Sequence, residues 1–286
     1  MKFKNMAVAA SFILSAAATL PAIADSMPAL KGNEQLWLVT QTQQLQKVDV
    51  RSPTQILEQR ALIGLAEGEQ IQGIDYRVAY GVLFAISNKG QLYTVDTVTG
   101  TLAAVGAPLA AGTWQVAQYG FDFNPAADRI RVVNENGQNL RLHPDSGALA
   151  FTDPELHFAA SDPNAGVAPA IVAAAYTYNQ HDAKVTTNYA IDKNLGILVT
   201  QGSIEGVEPQ VSPNTGQLFT VGALGLTDLQ QVSFDISDLR NIGLIAVSTA
   251  TDAASTLYQI NLATGTVHKL GVLADGGALV GIAIEP

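Results

Sequence analysis

Gly73-Ile74-Asp75-Tyr76-Arg77 is a phrase that returns as Gly120-Phe121-Asp122-Phe123-Asn124, again as Ser233-Phe234-Asp235-Ile236-Ser237, and in weakened form as Gly281-Ile282-Ala283-Ile284-Glu285. The spacing falls in the window of roughly 40 to 50 residues that propeller blades occupy. Outward from the first copy, two-residue alternation predicts four short strands over 71–77, 82–87, 91–96 and 101–106. Asn88-Lys89-Gly90 and Thr99-Gly100 stand where the chain must reverse, and glycine accepts the positive φ of such turns without steric cost. Four antiparallel strands joined by tight hairpins make one blade.

A second unit follows the same plan over 119–124, 129–134, 138–143 and 148–152, turning at Asn136-Gly137 and Ser146-Gly147. A third, less regular, is read over 170–178, 187–192, 196–201 and 217–222, and a fourth over 231–237, 242–248, 256–261 and 266–271. One strand near the end, 278–285, and three near the start, 35–40, 45–50 and 56–62, complete a fifth blade. The expected fold is therefore all-β: a five-bladed β-propeller over 35–286, closed by N- and C-terminal strands sharing one blade. Closure of that kind protects sheet edges that an open array exposes. Helical periodicity over long stretches is absent, which disfavours a parallel α/β fold.

Lys2 and Lys4 precede the small and apolar run from Met6 to Leu20, and Ala22-Ile23-Ala24 has the small-x-small pattern of a signal-peptidase site. Residues 1–24 are read as a signal peptide and 25–34 as a short lead, so the expected destination is periplasmic or extracellular. The run ending at Pro21 is shorter than the roughly 20 apolar residues a membrane span needs, and no membrane association is expected once it is cleaved. There is no cysteine, so stability must come from core burial rather than covalent staples. With 286 residues, 48% hydrophobic and 14% charged, a large core can be buried. The net charge of -10 argues against nucleic acid as a partner, because phosphate-backbone affinity comes from clustered Lys and Arg.

The stretch Gly120 to Pro125, then Asp128 to Val133, Gly137 to Leu142 and Pro144-Asp145-Ser146-Gly147 resembles a family of exported bacterial proteins known only as a domain of unknown function, the DUF 4394 family. The likeness extends from about Gln35 to the end and takes in Ala174-Ala175-Tyr176-Thr177 and Val221 to Gly225. It implies an exported, propeller-like repeat protein. It carries over no catalytic residue.

Asp75, Asp122 and Asp235 occupy the same place in three copies of the phrase, with apolar neighbours pointing the other way. If the first strand of each blade lines the central channel, the three carboxylates face one another there. They would then favour a divalent cation with oxygen ligands, calcium above all, or a polar substrate held by acceptors. The bland alternative is that each accepts hydrogen bonds within its own blade. The phrase lacks Asp at Tyr176 and Ala283, which breaks the symmetry. Arg129, Arg131 and Arg141 gather on adjacent strands of the second blade, as an anion site or, more commonly, as locks on Asp122 or Asp128. Trp114 and Tyr119 lie in and after a long loop, where an aromatic can stack on a sugar or cap the core. His143, His157, His181 and His268 have no metal-ligand spacing.

Loops longer than about 12 residues are uncommon unless functional or mobile, so 107–118, 153–169 and 202–214 are candidate binding surfaces. No nucleophile elbow, phosphate-binding loop or dinucleotide fingerprint occurs, and no organic cofactor is implied. The reading favoured is a monomeric, non-catalytic scaffold holding a small molecule, a glycan or a protein. Its rival is a hydrolase or lyase on an extracytoplasmic carbohydrate or lactone, using the channel carboxylates with or without a cation.

Overall fold

The computed structural model of the chain describes residues 27–115, 117–273 and 277–286. The expected signal peptide over 1–24 lies outside them. In chain order the strands are β1 (Gln35–Thr40), β2 (Gln44–Asp49) and β3 (Ile56–Ala61), then β4 (Ile71–Arg77), β5 (Val82–Ser87), β6 (Leu92–Val95) and β7 (Leu102–Val105). Next come β8 (Tyr119–Asn124), β9 (Arg129–Asn134), β10 (Asn139–Leu142) and β11 (Leu149–Thr152). They are followed by β12 (His157–Phe158), β13 (Ile171–Tyr176), β14 (Asn188–Asp192), β15 (Ile197–Gln201) and β16 (Gln217–Ala223). Last are β17 (Leu229–Ile236), β18 (Gly243–Thr249), β19 (Thr256–Ile260), β20 (Val267–Val272) and β21 (Leu279–Ile284).

These form five sheets, and the sheets are blades. Blade one is β4-β5-β6-β7, blade two β8-β9-β10-β11, blade three β13-β14-β15-β16 and blade four β17-β18-β19-β20. Blade five is β21-β1-β2-β3, with Leu36 opposite Ile284 and Leu38 opposite Ile282, so the two termini close the ring. The strand boundaries agree with the sequence reading to within two residues. β12 is an addition: it pairs parallel to β16, His157 with Gln217, and makes blade three five-stranded out of the 153–169 segment.

Each blade packs on the next through its own apolar cluster. Phe84, Ile86 and Leu92 of blade one meet Phe121, Ile130 and Leu140 of blade two, and Trp37, Val39 and Leu45 of blade five meet Ile74, Leu83 and Tyr93 of blade one. Inner strands are therefore covered on both faces. β13 and β14 are buried along their whole length, whereas the outermost β11 is largely exposed. The inner strands show no half-buried alternation, because an inner strand lies between two neighbouring blades and has no wet face.

The inner strands β4, β8, β13, β17 and β21 ring the axis, each beside the next. Their approach is set by glycine: a Cβ added at Gly120 would lie 2.6 Å from Ala174 N, and one at Gly73 would lie 2.9 Å from Phe121 Cβ. Real Cβ atoms essentially never come so close in either case, so side-chain absence fixes how tightly this end closes. Among the described residues no helix is long and apolar enough to cross a membrane.

Candidate functional site

Two residues beyond Gly73 and Gly120, β4 and β8 carry Asp75 and Asp122, and two beyond Ser233 β17 carries Asp235. Residues two apart on a strand share a face, so the carboxylates follow Gly73, Gly120 and Ser233 to the axis. One oxygen from each lies within 4.8 Å of the others. The three residues are 7%, 4% and 6% exposed.

Each carboxylate also stitches its strand to the next one round. Asp75 Oδ1 accepts from its neighbour Tyr76 N (2.7 Å) while Oδ2 accepts from Phe123 N on β8 (2.7 Å). Asp122 Oδ2 accepts from Tyr176 N on β13 (2.9 Å). Asp235 Oδ1 accepts from Ile236 N (2.6 Å) and Oδ2 from Ile284 N on β21 (2.6 Å). Each reaches the N–H of the residue after the equivalent position, which makes Ala175, not Tyr176, the third-blade counterpart of the aspartates. Ala283 is the fifth. The channel and the within-blade readings thus meet in one residue: the carboxylates converge, and they are bonded to the backbone of the adjoining blade.

Two backbone bonds each to Asp75 and Asp235 and one to Asp122 do not offset three like charges under burial. Burial first, then the charge of Asp235, pushes the Asp75 carboxyl well above the ordinary value of 3.8. Burial, then Asp75 and Asp235, does the same to Asp122. Burial pushes Asp235 up to about 6, against the two backbone N–H groups that hold it down. Among the described residues no N–H group reaches Asp122 Oδ1. The cluster lacks positive charge.

Above the carboxylates opens a cavity of about 410 Å³, whose floor is the trio and whose walls include Tyr76, Tyr80, Phe123, Tyr176, Tyr178 and Leu239. The rim comes from the short connections 77–80, 124–128 and 237–239, together with 178–183. Sequence length pointed instead to 107–118, 153–169 and 202–214, none of which contributes a residue to this cavity. The reason is topological: first-to-second strand hairpins converge on the axis, and long outer loops do not.

Arg77, which sequence reasoning did not single out, stands in the wall. Its Nε and Nη2 donate to Asp128 Oδ1 (2.8 Å) and Oδ2 (2.5 Å), and Nη1 to Asp145 Oδ1 (2.5 Å), so blade one grips blade two at the rim. The guanidinium lies 4.1 Å from the Tyr80 ring centroid. Its charge is neutralised there and is not available to the trio. The signal that could have found it is its place at the end of the repeated phrase.

The other candidates lie elsewhere. Arg131 is buried and donates to Tyr176 Oη (2.7 Å), Asn139 Oδ1 (2.6 Å), Asp153 Oδ2 (2.9 Å) and Asn214 Oδ1 (2.6 Å). Arg141 makes a fork with Asp153, Nε to Oδ2 and Nη2 to Oδ1, both 2.8 Å. The locking carboxylate is thus Asp153 rather than Asp122 or Asp128: Asp122 is drawn to the axis by Tyr176 N, and Asp128 is taken by Arg77. Arg129 donates to the Asp128 backbone oxygen (2.8 Å). Trp114 stacks on Tyr119 at 4.3 Å and donates from Nε1 to Asn88 O (3.0 Å), away from the axial cavity. Neither aromatic lines that cavity.

A family model described as "Domain of unknown function (DUF4394)" matches residues 44–283. Among curated proteins none matches the chain. Among solved structures, a protein of unknown function from Bacteroides thetaiotaomicron VPI-5482 is similar at a TM-score of 0.49 and 13% identity, over 85% of this chain. The match takes in 56% of that protein, so the chain spans just over half its length. Myxococcus xanthus glutaminyl cyclase is similar at a TM-score of 0.46 and 12% identity, over 80% of this chain and 83% of the other. Likeness at this level says nothing of chemistry.

Proposed function

Because the chain belongs to the DUF4394 family, a domain of unknown function whose description names no activity, we propose from the axial site that it is a binding module. Its trio of aspartates takes a divalent cation, and the cavity above takes a small ligand whose oxygens complete the coordination. The observation that carries this reading is the convergence of three buried carboxylates, within 4.8 Å, on the floor of an aromatic-walled cavity. Hard cations such as calcium take six to eight oxygens, so three carboxylates leave positions for water or ligand. A cavity of about 410 Å³ falls in the range of roughly 300–1,000 Å³ that suits small molecules. Tyr80 and Tyr178, with the ring of Tyr176, offer aromatic surface to a polyhydroxylated ring.

Thermal melting of the purified protein with calcium and with a chelator tests it. A cation at 100 times its dissociation constant stabilises by about 2.7 kcal/mol, and the Asp122→Asn variant should lose that increment. A melting temperature indifferent to both additions, at every pH between 6 and 8, would remove the cation from this reading.

A second reading is favoured by the proton-holding carboxyls. Asp235, with a pKa raised to about 6, beside two further carboxyls is a pairing able to serve as acid and base for a hydrolase or lyase acting on a carbohydrate or lactone. Turnover of such substrates, abolished in Asp235→Asn, would select it over simple binding.

A further inference from the structure

A second cleft opens between blades two and three, about 280 Å³ in volume. It shares Asn124 and Tyr176 with the axial cavity, so the two are neighbours separated by the Tyr176 side of β13. Their charges are opposite. The cleft is lined by Arg129, Arg131, Arg141 and Lys184, four of the chain's 15 Lys and Arg, and by no Asp or Glu. In a chain of net charge -10 that concentration is not explained by composition.

The single carboxylate beneath the cleft, Asp153, is shared by Arg131 and Arg141, which leaves that group one positive charge in excess. Arg129 and Lys184 add two more: among the described residues neither forms an ion pair, and Asp128 beside Arg129 is committed to Arg77. Polar donors complete the lining. Asn214 spends its Oδ1 on Arg131, which leaves its amide Nδ2 to donate, and Ser212 stands two residues before it with its hydroxyl proton unspent. Loop 202–214, one of the long segments the sequence set apart, supplies this wall.

We propose that the cleft between blades two and three is an oxyanion site, built for the carboxylate or phosphate group of a small molecule, with Arg129, Lys184 and the Asn214 amide as its direct ligands. Arg131 and Arg141 hold Asp153 and supply field rather than contact. Guanidinium forks suit either anion, since both present two oxygens at matching spacing. The site is independent of any cation on the axis.

Isothermal titration at constant ionic strength in chloride tests it, with inorganic phosphate in one arm and succinate in the other. Saturable binding of either is expected, weakened at least tenfold in the Arg129→Gln/Lys184→Gln double variant and unchanged in Lys269→Gln, which removes an exposed cation of β20 outside both cavities. Because neither Arg129 nor Lys184 is ion-paired, the double variant should melt in chloride as the parent does, and that check separates lost binding from lost fold. Phosphate alone marks the site for phosphate esters, and succinate alone marks it for carboxylates. Binding of neither, or equal binding by parent and double variant, overturns the proposal.

Discussion

The axis of the ring has two ends built from the same five strands, and they differ in kind. At the glycine end, Gly73, Gly120 and Gly281 let backbones approach until the space left is about 20 Å³, room for about one water at most. Two residues along, Asp75 and Asp122 follow Gly73 and Gly120, Asp235 follows Ser233, and a cavity of about 410 Å³ opens. The closed end is stabilised by close packing. The open end carries like charges that packing alone would not select, since burial of unpaired carboxylates is costly. The contrast separates residues that shape the ring from residues the ring displays.

Adding side chain to the closed end should have the largest effect. Gly120→Val would place its Cβ 2.6 Å from Ala174 N, forcing β8 from β13, and is expected to cost about 3 kcal/mol or more in urea unfolding. Unchanged stability would mean that the glycines do not set the approach. At the open end the sign reverses. Asp75, Asp122 and Asp235 have raised folded-state pKa values, Asp235 to about 6 from 3.8, so the stability they contribute is full below about pH 4 and is lost as pH rises through 6 and above. In chelator, the melting temperature should therefore fall between pH 5 and pH 8. Asp122→Asn should flatten that slope and be more stable than the parent at pH 8 by on the order of 1 kcal/mol. A parent profile already flat in chelator would contradict the charge-starved trio. Smallest of all, Tyr80→Ala, at a residue 65% exposed on the rim, should change stability by less than about 0.5 kcal/mol while weakening any ring-bearing ligand of the cavity.

The blades were readable because each repeats its own punctuation. Gly90, Gly137 and Gly147 all take positive φ at the hairpins where the sequence places turns, and turn chemistry is local. β12 was not readable: a two-residue strand at 157–158 has no pattern of its own and exists because the edge of β16 accepts it. Asp75, Asp122 and Asp235 could be picked from the phrase; Arg77 stands at its end, but its partners could not be read there, and Lys184 lies outside it. Arg77 matters through Asp128 and Asp145, far along the chain, and Lys184 through a cleft whose other wall is Ser212 to Asn214. Nor could a one-residue shift in blade three be seen from pattern alone; the bond from Tyr176 N to Asp122 fixes Ala175 as the counterpart.

Strand order along the chain, the turns and the number of blades were settled by the amino acids in line, because alternation and glycine placement act over a few residues. Which carboxylates would be stripped of water together, which arginines would be neutralised and which left bare were decided only when the ring closed. Charge balance in a protein interior is a sum over neighbours in space, and those neighbours come from different blades.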